Sequence, residues 1–293
     1  MNNIGQTFGG DWTEQKLECV SKYLDAYTKI MRLRKYKYTY IDAFAGMGYR
    51  ELKNHDDPAI QSFLAGSARR ALEVKRPFPN YVFIEADKRS FAELKKLKDE
   101  FPDRNIKCIN KEANESVRNR CQETNWKENR ALVFLDPYGM EVDWTTIELI
   151  ARTQAIDLWL LFPIGMGVNR LLKNDGNILK PHRKKLDQLF GRTDWFEEFY
   201  QLSPQLSLFS ENVGFVKKDN IFSIIEQYYL KRLASIFEFV AQNPFHLRNS
   251  KNSLMYLLCF AAGNPNASIA LKIAEDILEK MRTPSQLTLP FME

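Results

Sequence analysis

Apolar positions at Leu17, Val20, Leu24, Tyr27 and Met31 recur in steps of three and four, which predicts an amphipathic helix over residues 12–31 with Asp11 or Thr13 placed to cap it. The period then shortens. Residues 38–44 are aromatic and β-branched in the manner of a strand, and they run into the turn Ala45-Gly46-Met47-Gly48. A polar stretch follows at residues 51–57, and Gly66-Ser67 opens a helix through Val74. Further strands are predicted at residues 81–85, 106–109, 131–135 and 156–162, with helices at 90–99 and 144–153. Strands alternating with helices predict an α/β fold with a parallel, doubly wound sheet. The almost unbroken apolar character of the last two strands suits central positions covered on both faces.

Beyond residue 170 the pattern is less regular. Residues 171–191 read as a basic helix carrying Lys180, Arg183, Lys184 and Lys185, with Arg192 just past it. Residues 221–239 read as a helix, 253–260 as a late strand, 264–266 as a turn and 267–281 as a final helix. The expected organisation is a Rossmann-like core with an N-terminal helix over residues 1–170, and a mainly helical part over 171–293 that packs on the core and completes it.

Composition narrows the classes. With 44% hydrophobic and 27% charged residues the chain is balanced like a globular protein and not like a disordered one. A net charge of +5 permits a nucleic-acid partner without requiring one. Cys19, Cys108, Cys121 and Cys259 form no C-x-x-C pair, and the histidines are only His55, His182 and His246. A zinc site, a disulfide framework and a histidine-based nucleophile are therefore disfavoured. The first residues lack the basic-then-apolar pattern of a secretory signal, and the most apolar run, residues 158–168, is too short and too broken by Gly and Pro to span a bilayer. A cytoplasmic protein with no membrane partner is expected.

Four segments carry candidate chemistry, and all fall at the carboxyl ends of predicted parallel strands, the edge where open α/β sheets bind ligands. Asp42-Ala43-Phe44-Ala45-Gly46-Met47-Gly48 is a turn whose glycines let the backbone approach a nucleotide-like ligand. A dinucleotide fingerprint would need a third glycine where Glu51 stands, which argues against a nicotinamide cofactor. Glu85 ends the second strand and can accept the hydroxyl protons of a ribose, with Asp87 a neighbouring substitute. Glu112-Ala113-Asn114 follows the third strand, either as a polar loop or facing an adenine amino group. Asp136-Pro137-Tyr138-Gly139 follows the fourth, either as a tight turn or as an amine-binding turn. In the second case the carboxylate and carbonyls accept N–H bonds, turn the nitrogen lone pair toward an electrophilic methyl group, and leave the aromatic ring to stack on a base.

The pattern D-x-F-x-G-x-G at residues 42–48 resembles motif I of class I methyltransferases. The D-P-Y-G at 136–139 resembles the D-P-P-Y of adenine-N6 enzymes and, more closely, the D-P-F-G of guanosine-N2 tRNA methyltransferases. Taken with Tyr49-Arg50, Gly66-Ser67, Phe83-Ile84-Glu85, Val133-Phe134-Leu135 and the late Tyr256-Leu257-Leu258-Cys259-Phe260-Ala261, most of the chain resembles the three-Cys-motif partner proteins (TcmP). The resemblance implies a Rossmann-like, doubly wound class I methyltransferase sheet with additional C-terminal helical elements. It implies S-adenosylmethionine as cofactor, a bacterial or phage source, and a partner bearing a three-cysteine motif of the radical-SAM sort. Carried onto this sequence, it implies cofactor contacts from Asp42, Phe44, Ala45, Gly46, Gly48, Glu85, Glu112 and Asn114, acceptor-side roles for Asp136, Pro137 and Tyr138, and no metal. Two functions stay open: N-methylation of a base amino group in DNA or RNA, with basic residues between 170 and 192 on the phosphates, or a non-catalytic, methyltransferase-like partner subunit.

Overall fold

The computed structural model describes residues 11–34, 36–52, 62–203 and 214–282. Its first half contains α1 (Asp11–Arg34), β1 (Lys37–Asp42), β2 (Tyr49–Leu52), β3 (Ser62–Ala65), α2 (Ser67–Leu72), β4 (Asn80–Ile84), α3 (Lys88–Glu100), β5 (Ile106–Ile109), α4 (Ala113–Glu123), β6 (Asn129–Leu135), α5 (Trp144–Arg152) and β7 (Ile156–Phe162). A π-helical turn (Ile164–Asn169) leads on to α6 (Lys180–Phe190), α7 (Trp195–Phe199), β8 (Tyr200–Leu202), β9 (Phe215–Lys217), α8 (Ile221–Ala234), β10 (Phe239–Val240), β11 (Phe245–Arg248), β12 (Leu254–Ala262) and α9 (Ser268–Arg282). No helix among the described residues is long and apolar enough to cross a membrane.

The main sheet runs β5-β4-β1-β6-β7-β12, and the outer edge of β12 is covered by β10 and β11. The first five of these strands are mutually parallel. The late strand β12 enters antiparallel to β7, and β10 and β11 pair antiparallel to it in turn. Along each central strand, successive side chains point to opposite faces. On β7, Trp159 and Leu161 join Tyr40, Phe83, Phe134 and Phe260 beneath α1, α2, α3 and α9. Leu158, Leu160 and Phe162 join Val133, Leu135 and Leu257 against α4, α5, α6, α7 and α8. Aromatic rings fill both layers: Tyr27 stacks on Phe78 at 5.7 Å on one side, and Phe162 stacks on Tyr229 at 3.8 Å on the other. Each such buried side chain contributes about 1.5–3 kcal/mol, so the two layers are the main source of stability.

Several local expectations are corrected. The polar stretch at residues 51–57 falls mostly outside the described residues, as do residues 1–5 and His55, while Glu51 and Leu52 end β2, which pairs with β3. The helix α4 was not expected, because its apolar line is only Ala113, Val117 and Cys121. Residues 171–191 are helical only from Lys180, and Pro181 sits in that first turn, where a missing amide costs nothing. The helix expected to reach Phe239 ends at Ala234, and Phe239 begins β10. Among the described residues, those after 170 contribute α6–α9 and also five strands, of which β10, β11 and β12 belong to the main sheet.

Gly191 ends α6 with φ +67°, and a Cβ there would overlap the Trp144 indole at the start of α5. Gly191→Ala therefore meets both a backbone penalty and overpacking, and should cost about 2–4 kcal/mol. Urea denaturation should show a lowered midpoint at unchanged slope; an unaltered midpoint would mean that α5 and α6 are not packed this closely.

Candidate active site

Three neighbouring strands end at one edge of the sheet: β4, β1 and β6. The chain leaving β1 stays tied to both neighbours, because the Ala43 amide donates to the Phe134 carbonyl (3.1 Å) and the Ala45 amide to that of Ile84 (3.0 Å). Ala45 is buried, Phe44 is half-buried, and the Phe44 amide donates back to Asp42 Oδ1 at 3.2 Å. The turn then needs left-handed backbone at Gly46 (φ +59°) and Gly48 (φ +77°). A Cβ added at Gly46 would meet nothing within 4 Å among the described residues, whereas one at Gly48 would press on the Leu97 side chain, so the turn is open at Gly46 and packed at Gly48. Glu85, just past β4, fastens the turn: its Oε2 accepts the Gly46 amide and its Oε1 the Asp87 amide, both at 2.8 Å.

Asp42 lies fully buried behind the turn. Burial is the largest influence on it and pushes its carboxyl up to about 7; the Ser67 hydroxyl draws it down, Asp136 raises it, and the Phe44 amide and Lys16 lower it. Asp42 therefore supports the turn from inside and presents no free face to a ligand.

On β6, Asp136 stands at the strand end and its Oδ2 accepts a hydrogen bond from Lys16 Nζ at 2.5 Å. Lys16 is only 4% exposed, so this is an ion pair largely removed from water. Its ammonium also lies 5.5 Å from the centre of the Trp12 ring, and Trp12 stacks on Tyr256 at 5.2 Å. The Tyr256 hydroxyl donates to the Tyr138 carbonyl at 3.0 Å and so fixes the turn after β6. Pro137 is buried, while Tyr138 is 65% exposed. The N-terminal turns of α1 and the start of β12 thus help to build this side of the site. Lys16, Trp12 and Tyr256 were missed from sequence, although a lysine on the buried stripe of α1, in line with Trp12, Cys19 and Tyr23, is a readable signal.

The third expected segment has a different duty. Glu112 caps α4, accepting the amides of Asn114 (2.8 Å) and Glu115 (2.7 Å) and the Asn114 side chain (2.7 Å). Partial burial pushes its carboxyl up, but these three donors outweigh burial and hold it below its ordinary value. Asn114 is saturated: its two N–H groups go to Glu112 and the Glu141 carbonyl, and its oxygen accepts the Asp143 amide and the Thr146 hydroxyl. It ties α4 to the loop before α5 and retains no position for a ligand. Asn110, not expected in the site, donates to the carbonyls of Glu85 (2.8 Å) and Ala86 (3.0 Å) and holds the Glu85 loop in place.

A mostly parallel sheet with helices on both faces, one late antiparallel strand beside β7 and a glycine turn after the central strand defines a methyltransferase-like Rossmann fold. No protein-family model matches the sequence, and no curated protein is significantly similar to it. Among solved structures, the chain is similar to protein LPL1258 of Legionella pneumophila, described by the family model DUF519, at 11% identity and a TM-score of 0.50 over 94% of each chain. That likeness is one of fold. Weaker ones include the methyltransferase domain of bacterial CtHen1 (9% identity, TM-score 0.37, covering 83% of this chain and 99% of that one). The N-terminal domain of EvdMO1, determined in the presence of SAH and D-fucose, is another (10%, 0.35, 82% of each).

Two predictions follow from the buried charges. With its folded value near 7 and its ordinary one at 3.8, Asp42 retains in the folded chain a proton that the unfolded chain has released. Stability should therefore fall as pH rises from about 4 to about 7, by an amount on the order of 4 kcal/mol at most. Asp42→Asn cannot ionise and should remove that slope; parallel stability–pH curves for the two proteins would exclude titration of Asp42 in the fold. For the ion pair, Lys16→Met strands the Asp136 carboxylate and should cost about 3 kcal/mol. Adding Asp136→Asn should recover most of that loss, and strictly additive losses in the double-mutant cycle would show that the pair contributes nothing.

Proposed function

We propose that this chain is an S-adenosylmethionine-dependent methyltransferase acting on a base amino group of a nucleic acid. The observation that supports it is the placement, on the adjacent strands β1 and β6, of an open glycine turn clasped by Glu85 and of the Asp136-Pro137-Tyr138 turn. The residues suit the cofactor. A Cβ at Gly46 would meet no atom of the described residues within 4 Å, and each Glu85 oxygen, having accepted one amide, keeps a lone pair for a ribose hydroxyl. In this reading Phe44, Ala45, Gly48 and Glu112 are assigned to the same wall, Glu112 Oε2 having accepted only the Glu115 amide among the described residues. When bound, S-adenosylmethionine supplies an electrophilic methyl group on a sulfonium sulfur.

On the acceptor side, Asp136 and the Pro137 carbonyl take the N–H bonds of an amine and aim its lone pair. Tyr138 offers an exposed ring on which a base stacks. With the methyl donor bound, the amine nitrogen held by Asp136 and Pro137 would be the attacking atom, and the proton it then carries would leave to solvent, so no strong base would be required of this chain. Lys180, Arg183 and Lys184 are exposed on α6, and Arg192 just past it, where they can meet phosphates.

One observation favours a second reading. The Lys16 ammonium already engages the Asp136 carboxylate. A chain whose acceptor carboxylate stays paired in this way would serve as a methyltransferase-like partner subunit of a three-Cys-motif protein. Calorimetry with S-adenosylmethionine and S-adenosylhomocysteine, followed by labelled methyl transfer to DNA and RNA, separates the readings. Catalysis predicts binding that Gly46→Asp abolishes, and an Asp136→Asn variant that binds normally but turns over at least about 100-fold more slowly. Binding of neither compound would overturn the enzymatic reading, and co-purification with a three-Cys-motif protein would then support the second.

A further inference from the structure

At the opposite edge of the sheet, a cavity of about 90 Å³ lies between α1, α9 and the N-terminal ends of β6 and β7. That is several times the ~10–15 Å³ that a single water needs. Its polar groups are incompletely satisfied. Asp157, the second residue of β7, is 5% exposed and among the described residues accepts one hydrogen bond, from the Tyr23 hydroxyl at 2.7 Å. The Tyr27 hydroxyl is buried with no partner among the described residues, and so is Nε of Arg130. The Arg130 guanidinium stacks over Tyr36 at 4.1 Å, and its Nη1 donates to the carbonyls of Trp126 and Asn129. Exposed Arg34 stands at the mouth, and the remaining lining includes the apolar Ile30, Met31 and Ile273 and the polar Asn264 and Asn266.

From this we infer a second binding site, for a small aliphatic zwitterion whose ammonium meets Asp157 and Tyr27 and whose anionic group meets Arg130 and Arg34. A carboxylate buried with one hydrogen bond is costly unless a cation or further donors complete it. Burial raises the Asp157 carboxyl to about 6, against the Tyr23 hydroxyl and Arg130, so the group is mostly ionised at neutral pH. Tyrosine rings beside it suit an organic ammonium. A simple cation would pass two guanidinium groups on entry, whereas a zwitterion offers them an anionic group. The volume admits a short chain. The site shares no residue with the edge that carries Gly46 and Asp136, so it stands or falls independently of the proposed activity.

The test uses the full-length protein and a series of ω-amino acids from glycine to 6-aminohexanoate, each compared with the n-alkylamine and the alkanoate of equal length, by calorimetry and thermal shift. One length should bind saturably, with the matching amine and acid each at least about tenfold weaker. Tyr27→Phe, which removes only an unpartnered oxygen, should weaken binding about three- to tenfold, and Arg34→Ala should do the same. Asp157→Asn should abolish it, and if that variant fails to fold the other two carry the test. Absence of saturable binding at every length would mean that water alone fills the cavity and would overturn the proposal. Equal binding of the bare amine would overturn it too, as would wild-type affinity in both Tyr27→Phe and Arg34→Ala.

Discussion

Trp159 and Leu160 are neighbours on β7, and both are covered, one by the layer that includes α1 and the other by the layer that includes α5. That double burial constrains everything else. A parallel strand closed on both faces can expose functional groups only at its ends. In β1 and β6 the ends carry the polar residues, and the interiors are apolar or aromatic almost without exception. The ladder is also extended past the strands by the Ala43 and Ala45 amides, so the glycine turn starts from a fixed point. Its φ > 0 geometry is then supported by Glu85.

Helix α1 links the two edges. It covers the sheet with Leu17, Val20, Tyr23, Leu24 and Tyr27, and because it runs the depth of the sheet it brings side chains to both ends. Its first turns carry Trp12 and Lys16 to Asp136, and its second half carries Tyr23 and Tyr27 to Asp157. Removing an ammonium and a carboxylate from water costs several kcal/mol for each ion, and a 2.5 Å contact offsets that only in a rigid setting. The stacking of Trp12 on Tyr256 supplies such a setting, since it fixes the helix against β12.

The central strands were legible because their burial is written as apolar runs, and the late strand because residues 254–262 form another. The glycine turn and the Asp136 turn were legible because short motifs at strand ends need no long-range information. What failed was long-range or thinly patterned. Helix α4 has a single apolar line, so the capping role of Glu112 was not read, nor were the contacts of Asn114 with residues 27 to 32 positions away. Lys16 is 120 residues from Asp136, and a charge on an apolar stripe is easily assigned to solvent. Tyr256 was noted as part of a strand, but its contact with the Tyr138 carbonyl depends on β12 running antiparallel to β7, a feature of the sheet and not of the motif.

The buried acids show how partners, more than burial, assign roles. Asp42 and Asp157 are both enclosed, and burial raises both. Asp42 is enclosed by donors from Phe44 in its own turn and from Ser67 at the start of α2, and serves as an internal brace. Asp157 has one donor and a cavity beside it. Asp136 is less enclosed and has a lysine, so its carboxylate is held in one orientation at the mouth of the sheet, with one oxygen on the ammonium and the other outside that contact. In the proposed function, an amine entering beside Tyr138 would meet an acceptor already oriented by α1, so the geometry on β6 would depend on the seating of a helix that precedes the sheet in the chain.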